Sequence, residues 1–126
     1  MIKGIFVIYD TGICLYNKSN KNIPPNEQLV SGFIAAIDRF CKTSIGENIS
    51  YICTETLKFH FIRKNKLIFV FLSDKNDITN KLLPNFKQIM NKFLNEFTNQ
   101  QRYTFEKNGL IPELSNFDSC ISNLYI

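Results

Sequence analysis

The sequence predicts a mixed α/β (α+β) fold. It is a three-layer α/β/α sandwich on a five-stranded, mainly antiparallel sheet, with elements in the order β-β-α-β-β-β-α-α. Three observations carry this. Residues 2–9 (IKGIFVIY) and 67–72 (LIFVFL) are apolar on both alternating faces, the mark of strands covered on both sides and central in their sheet. Two stretches, 27–44 and 84–97, repeat apolar residues at helical spacing. Strands apolar on both faces must be covered on both, so the first helix is expected on one face of the sheet and the later helices on the other. Composition agrees: 126 residues, 44% hydrophobic and 21% charged, fit one domain spanning 1–126 and exclude a disordered chain. No run approaches the roughly 20 apolar residues that span a bilayer. The N-terminal stretch lacks a small-residue cleavage site, so no signal peptide is expected.

In the first strand Ile2, Phe6 and Ile8 share one face, and Ile5, Val7 and Tyr9 the other. Asp10-Thr11-Gly12 supplies turn chemistry, and residues 13–16 (ICLY) return as an antiparallel partner. Residues 17–26 (NKSNKNIPPN) read as a polar loop ending at a helix N-cap near Asn26. In the helix that follows, Leu29, Val30, Phe33, Ile34, Ala36, Ile37, Phe40 and Cys41 cover an arc of roughly 160° where a helix on a sheet needs only about 100°. Gly46 ends this helix. Three strands are predicted next, over 49–54, 57–63 and 67–72, with Arg63-Lys64-Asn65-Lys66 as a hairpin turn. The first and fifth strands, both central, are expected to pair. Pro84 places the start of the second helix within a turn of itself. Phe86, Ile89, Met90, Phe93, Leu94 and Phe97 form its apolar face. Pro112 opens a third helix with Leu114, Phe117, Ile121 and Leu124 at three- and four-residue spacing.

This arrangement resembles the longin family, the profilin-like fold of longin SNAREs, adaptor-complex small subunits and the N-terminal domain of signal-recognition-particle receptor α subunits. The likeness covers about residues 1–97. Met1-Ile2-Lys3 leading into a buried strand and hairpin looks like an adaptor small subunit. Residues 57–74 (LKFHFIRKNKLIFVFLSD) resemble the paired fourth and fifth longin strands, and 93–97 (FLNEF) the end of the long longin helix. A roadblock chain normally opens with a helix, which makes that family the second reading. The sequence lacks the coiled-coil segment and anchor that follow the domain in a longin SNARE, so fusion activity is not implied. The resemblance implies a non-enzymatic module for membrane-traffic-like or GTPase-regulatory machinery. It would be cytoplasmic or peripheral at a membrane and would bind a small GTPase, a sister longin or roadblock subunit, or a second copy of itself. The composition, rich in Asn, Lys, Ile and Phe, resembles small longin-like proteins of AT-rich archaea.

Catalytic and ligand readings are weaker. Asp10-Thr11-Gly12 after an apolar strand matches the motif of dimeric aspartic proteases, in which two carboxylates share a proton. Ile13-Cys14 follow where that motif needs small residues, and the predicted helices do not fit an all-β protease. His60, the only histidine, lies near Cys53 and Glu55 and invites a Cys-His or metal site; a structural histidine is the plainer reading. The cysteines Cys14, Cys41, Cys53 and Cys120 form no C-x-x-C pair and are expected as reduced, buried thiols. No phosphate-binding glycine loop occurs. A net charge of +4 without a basic cluster does not favour nucleic acid. No cofactor or metal is expected. Arg63, Lys64 and Lys66, with Lys18 and Lys21, are the candidates for weak contact with a membrane surface.

The broad arc of the first helix is the leading functional feature. The strand over 49–54 is predicted beside it at a sheet edge, where unpaired backbone and apolar side chains favour docking. The candidate partner-binding residues are Phe33, Ile37 and Phe40 on the helix and Tyr51 and Cys53 on the strand. At least two of them should keep exposed apolar area.

Overall fold

The two doubly apolar segments pair with each other. β1 (Gly4–Tyr9) runs antiparallel to β5 (Leu67–Asp74), from Gly4 opposite Leu72 to Tyr9 opposite Leu67. This is seen in a computed structural model, which describes residues 2–19 and 26–121. β2 (Cys14–Ser19), β3 (Tyr51–Cys53) and β4 (Leu57–Lys64) complete a five-stranded sheet in the order β2-β1-β5-β4-β3, every pair antiparallel. β5 and β1 sit in the middle of this order, which is why nearly every side chain they carry is buried. The β4–β5 hairpin turns on Asn65 and Lys66 at φ 54° and 66°, the left-handed pair that a two-residue hairpin requires.

Helix α1 (Glu27–Phe40) covers one face of the sheet. Asn26 caps it by accepting from the Leu29 N–H, and the chain continues through a π-turn over Cys41–Ile45 to Gly46 at φ 78°. The other face carries α2 (Thr79–Glu96), α3 (Asn99–Asn108) and α4 (Ser115–Ile121). There Phe93 lies fully buried, with its ring 5.6 Å from Phe69 and 5.3 Å from Phe117, while Phe71 stacks on Phe86 at 4.2 Å.

The structure departs from the sequence reading in five places. The element order gains a helix, becoming β-β-α-β-β-β-α-α-α. The extra one, α3, is short and buries one apolar side chain, Phe105, so it shows no helical period. Its signature is the Thr98–Gln101 capping box and Gly109 at φ 71°. Second, α2 begins at Thr79, so Pro84 falls inside it. Third, β2 reaches Ser19 and β3 shrinks to three residues. Fourth, Ile2 precedes β1 and packs with Ile5 and Val7, not with Phe6. Finally, Cys14 is buried as expected, but Cys41 is half-buried and Cys53 and Cys120 are exposed, all four unbridged. The Pro24-Pro25 loop with Lys21, and Leu124, lie outside the described residues.

The α3 and α4 segments are fastened by polar links as well as by packing. The Tyr9 hydroxyl donates to the Glu106 carboxylate. Burial, and then that carboxylate, push the phenol up to about 12. On α4, Asp118 accepts from Tyr16 Oη at 2.7 Å and from Lys18 Nζ at 3.0 Å. The phenol, then the lysine, hold its carboxyl below the usual range.

Candidate functional site

Helix α1 is turned away from the direction its hydrophobic arc would choose. It buries Ser31, Ile34, Ala35 and Asp38. With 100° between successive residues, that buried side centres roughly 130° from the middle of the apolar arc. Leu29, Phe33 and Phe40 fall within about 40° of one another around the helix, nearly opposite the sheet. They are 69%, 61% and 55% exposed, and Ile45 beyond them is 61% exposed. Ile37 is half-buried.

An ion pair explains the rotation. Asp38, 4% exposed, receives the Arg63 guanidinium of β4. Arg63 also donates to the Ile49 carbonyl at 2.9 Å, and Lys42 reaches the other Asp38 oxygen at 3.3 Å. A buried carboxylate must be paired, so Asp38 pins this side of α1 to the sheet and leaves the larger apolar side outward. Arg63 is thereby withdrawn from the basic cluster at the hairpin, which leaves Lys64 and Lys66 there; Lys66 lies 3.8 Å from Glu106.

Between α1 and the β3 edge lies an apolar groove of about 400 Å³, lined by Leu29, Val30, Phe33, Ile34, Ile52, Thr54, Phe59 and Phe61. Tyr51 and Cys53 do not join it. Tyr51 stands opposite His60 and Cys53 opposite Lys58, and Lys58 Nζ lies 4.3 Å over the Tyr51 ring. Because side chains alternate along a strand, these two point to the α2 face, while Ile52 points to the α1 face. The structure therefore brings Phe33, Ile37 and Phe40 together and places Tyr51 and Cys53 on the other side of β3. Leu29, Ile52 and Phe59 were missed; strand parity separates Ile52 from its neighbours.

Tyr51 and Cys53 still belong to the edge through their backbone. Thr54 N–H donates to Leu57 O at 2.9 Å and Phe61 N–H to Ser50 O at 3.0 Å. In an antiparallel ladder this turns the main-chain groups of Ser50, Ile52 and Thr54 toward β4. Those of Tyr51 and Cys53 point to the free edge.

The catalytic readings find other uses for their residues. Asp10-Thr11-Gly12 is a turn: Gly12 N–H donates to Tyr9 O at 2.8 Å, Gly12 sits at φ 103°, and the Asp10 carbonyl accepts from Arg39 at 3.2 Å. His60 is buried between Ser73, Thr79 and Phe86. Among the described residues no group of three His, Cys, Asp or Glu side chains is placed to hold a metal ion, and no helix is long and apolar enough to cross a membrane.

No family model and no curated protein matches the sequence. The structure is similar to solved structures. One is described as MglB with tetrameric arrangement, at 14% identity and TM-score 0.55, over 69% of this chain and 71% of that one. Another is Myxococcus xanthus MglB, at 13% identity and TM-score 0.56, over 69% and 76%. A third is a Roadblock/LC7 domain from Streptomyces avermitilis, at 6% identity and TM-score 0.50, over 64% and 72%. At these identities the likeness shows the fold, the longin-like, profilin-like arrangement that these domains share.

Proposed function

We propose that this chain is a non-enzymatic protein-interaction module that docks its partner on the outward face of α1 and the adjoining β3 edge. The observation that carries this is the set of Leu29, Phe33 and Phe40 facing water beside an apolar groove. Covering one such side chain gains about 2 kcal/mol, so contiguous exposed apolar surface of this kind marks a binding site. The fold neighbours support a partner that is a protein. The partner class is a small GTPase or a sister longin or roadblock subunit, in GTPase-regulatory or membrane-traffic-like machinery of the cytoplasm. Lys64 and Lys66 would supply any contact with a membrane surface.

A second reading, a scaffold built from two copies of the chain, is favoured by the free backbone of Tyr51 and Cys53 at the edge. The tetrameric arrangement described for one MglB structure is in keeping with it. The test is capture from the source lysate on the immobilised chain, in parallel with a GTP analogue and with GDP, alongside light scattering of the pure protein. A GTPase retained in one nucleotide state supports the first reading. A dimer that alone occupies the surface supports the second.

A further inference from the structure

His60 is a buried titratable group that the α1 surface does not use. It lies in the middle of β4 at 1% exposure, with its ring 5.0 Å from that of Phe86. Nε2 lies 2.7 Å from Ser73 Oγ and Nδ1 3.2 Å from Thr79 Oγ1. The Ser73 hydroxyl donates onward to the Asp74 carbonyl at 3.3 Å, so it accepts from Nε2–H. Nδ1 is then the acceptor for the Thr79 hydroxyl. The hydrogen bonds thus define one neutral tautomer.

Thr79 is the first residue of α2, and this helix start is poorly supported. Ile78 at the N-cap makes no side-chain bond, and no acidic residue stands in the first turn. Pro84 has no N–H to give to the Asn80 carbonyl. A helix start without a cap is weaker, so the His60–Thr79 bond is a tertiary fastening on a weak turn. Protonation would make Nδ1 a donor, so the Thr79 hydroxyl would have to turn about to accept from it. Protonation would also place a cation against the positive end of the α2 dipole. Among the surrounding charges, Lys58 on β4 opposes that cation and Asp77, in the connection to α2, favours it. From β5, the Asp74 carboxylate is held by Lys3 at 2.6 Å. From α2, the contacts are the uncharged Thr79 and Phe86.

We propose that His60 is a proton-operated latch which, when neutral, fastens the first turn of α2 to the sheet and, when protonated, releases residues 75–83 while the rest of the fold holds. Burial, and then Lys58, bring the imidazole down to about 4 from its ordinary 6.5. Because the folded value is depressed, the fastening is complete above pH 6.5 and is lost as the pH falls from 6.5 toward 4.

The test follows the His60 ring protons by NMR against pH, together with amide exchange of 75–83 corrected for intrinsic rates. The expected result is a titration midpoint near 4 and loss of protection in 75–83 over the same range, with β1 and β5 still protected. His60→Gln should abolish the pH step. Thr79→Val, which keeps the imidazole, should lower protection of 75–83 already at pH 7 and move the midpoint upward. If His60→Gln does not fold, the wild-type titration and Thr79→Val decide. Titration near 6.5 with no change in exchange overturns the proposal, as does loss of protection in β1 and β5 together with 75–83.

Discussion

The two faces of this sheet are built to different ends. On the α2 face, three helices cover β1 and β5, and Phe69, Phe71, Phe86, Phe93 and Phe117 are all fully buried. On the α1 face, one helix covers the same two strands. It turns Ser31 and Asp38 inward and leaves Leu29, Phe33 and Phe40 outside. The α2 face spends its aromatics on folding. The α1 face holds its helix with a charge pair and leaves the aromatics of that helix, Phe33 and Phe40, exposed. Hydrophobic content alone therefore does not say which helix builds the core; the direction of the apolar stripe relative to the sheet does.

That comparison sets the order of expected effects. Phe93→Ala should be the most damaging single change, destabilising by about 4 kcal/mol because it opens a cavity between Phe69, Phe97 and Phe117. Urea denaturation measures it; a loss under about 1 kcal/mol would mean that the α2 face is not the core. Asp38→Ala should come next, at about 3 kcal/mol, since it strands the Arg63 guanidinium. Replacing both partners, Asp38→Leu with Arg63→Met, should recover most of that loss. A double variant as unstable as the single one would show that the loss does not come from a stranded guanidinium.

The pH response of stability is of similar size but confined to the α2 face. With His60 at about 4 when fastened and 6.5 when exposed, the free energy of opening residues 75–83 should fall by up to about 3 kcal/mol as the pH drops from 6.5 to 4, at 1.36 kcal/mol per unit. Amide exchange of residues 75–83 across that range should show the slope, and His60→Gln should flatten it. Smallest is the effect of Phe33→Asp or Phe40→Asp on stability. Both side chains are exposed, so the urea midpoint should move by less than about 0.5 kcal/mol equivalent.

The core side of this comparison was legible in the sequence. Unbroken apolar runs identified β1 and β5 as central and paired, and the i, i+3, i+4 spacing of Phe86, Ile89, Met90 and Phe93 gave the α2 face. The α1 side was legible in part. Periodicity gave the width of the arc and picked out Phe33 and Phe40, but it carries no information about rotation relative to the sheet. That rotation depends on Asp38 meeting Arg63, 25 residues away. Tyr51 and Cys53 were named as part of the helix-and-edge surface, and the structure puts their side chains on the face of β3 away from the groove; alternation separates them from Ile52 but does not by itself say which face meets α1. Helix α3 went unseen because capping chemistry, not a repeating apolar face, defines it.

Binding by the outward face of α1 is the property most directly open to test. The measurement is retention of the captured partner, or of a second copy, on wild-type chain against the Phe33→Asp/Phe40→Asp double variant, with both proteins matched in urea midpoint. Retention should fall by at least about tenfold, equivalent to ~1.4 kcal/mol, with the fold unchanged. Equal retention on the two proteins would contradict binding by that face.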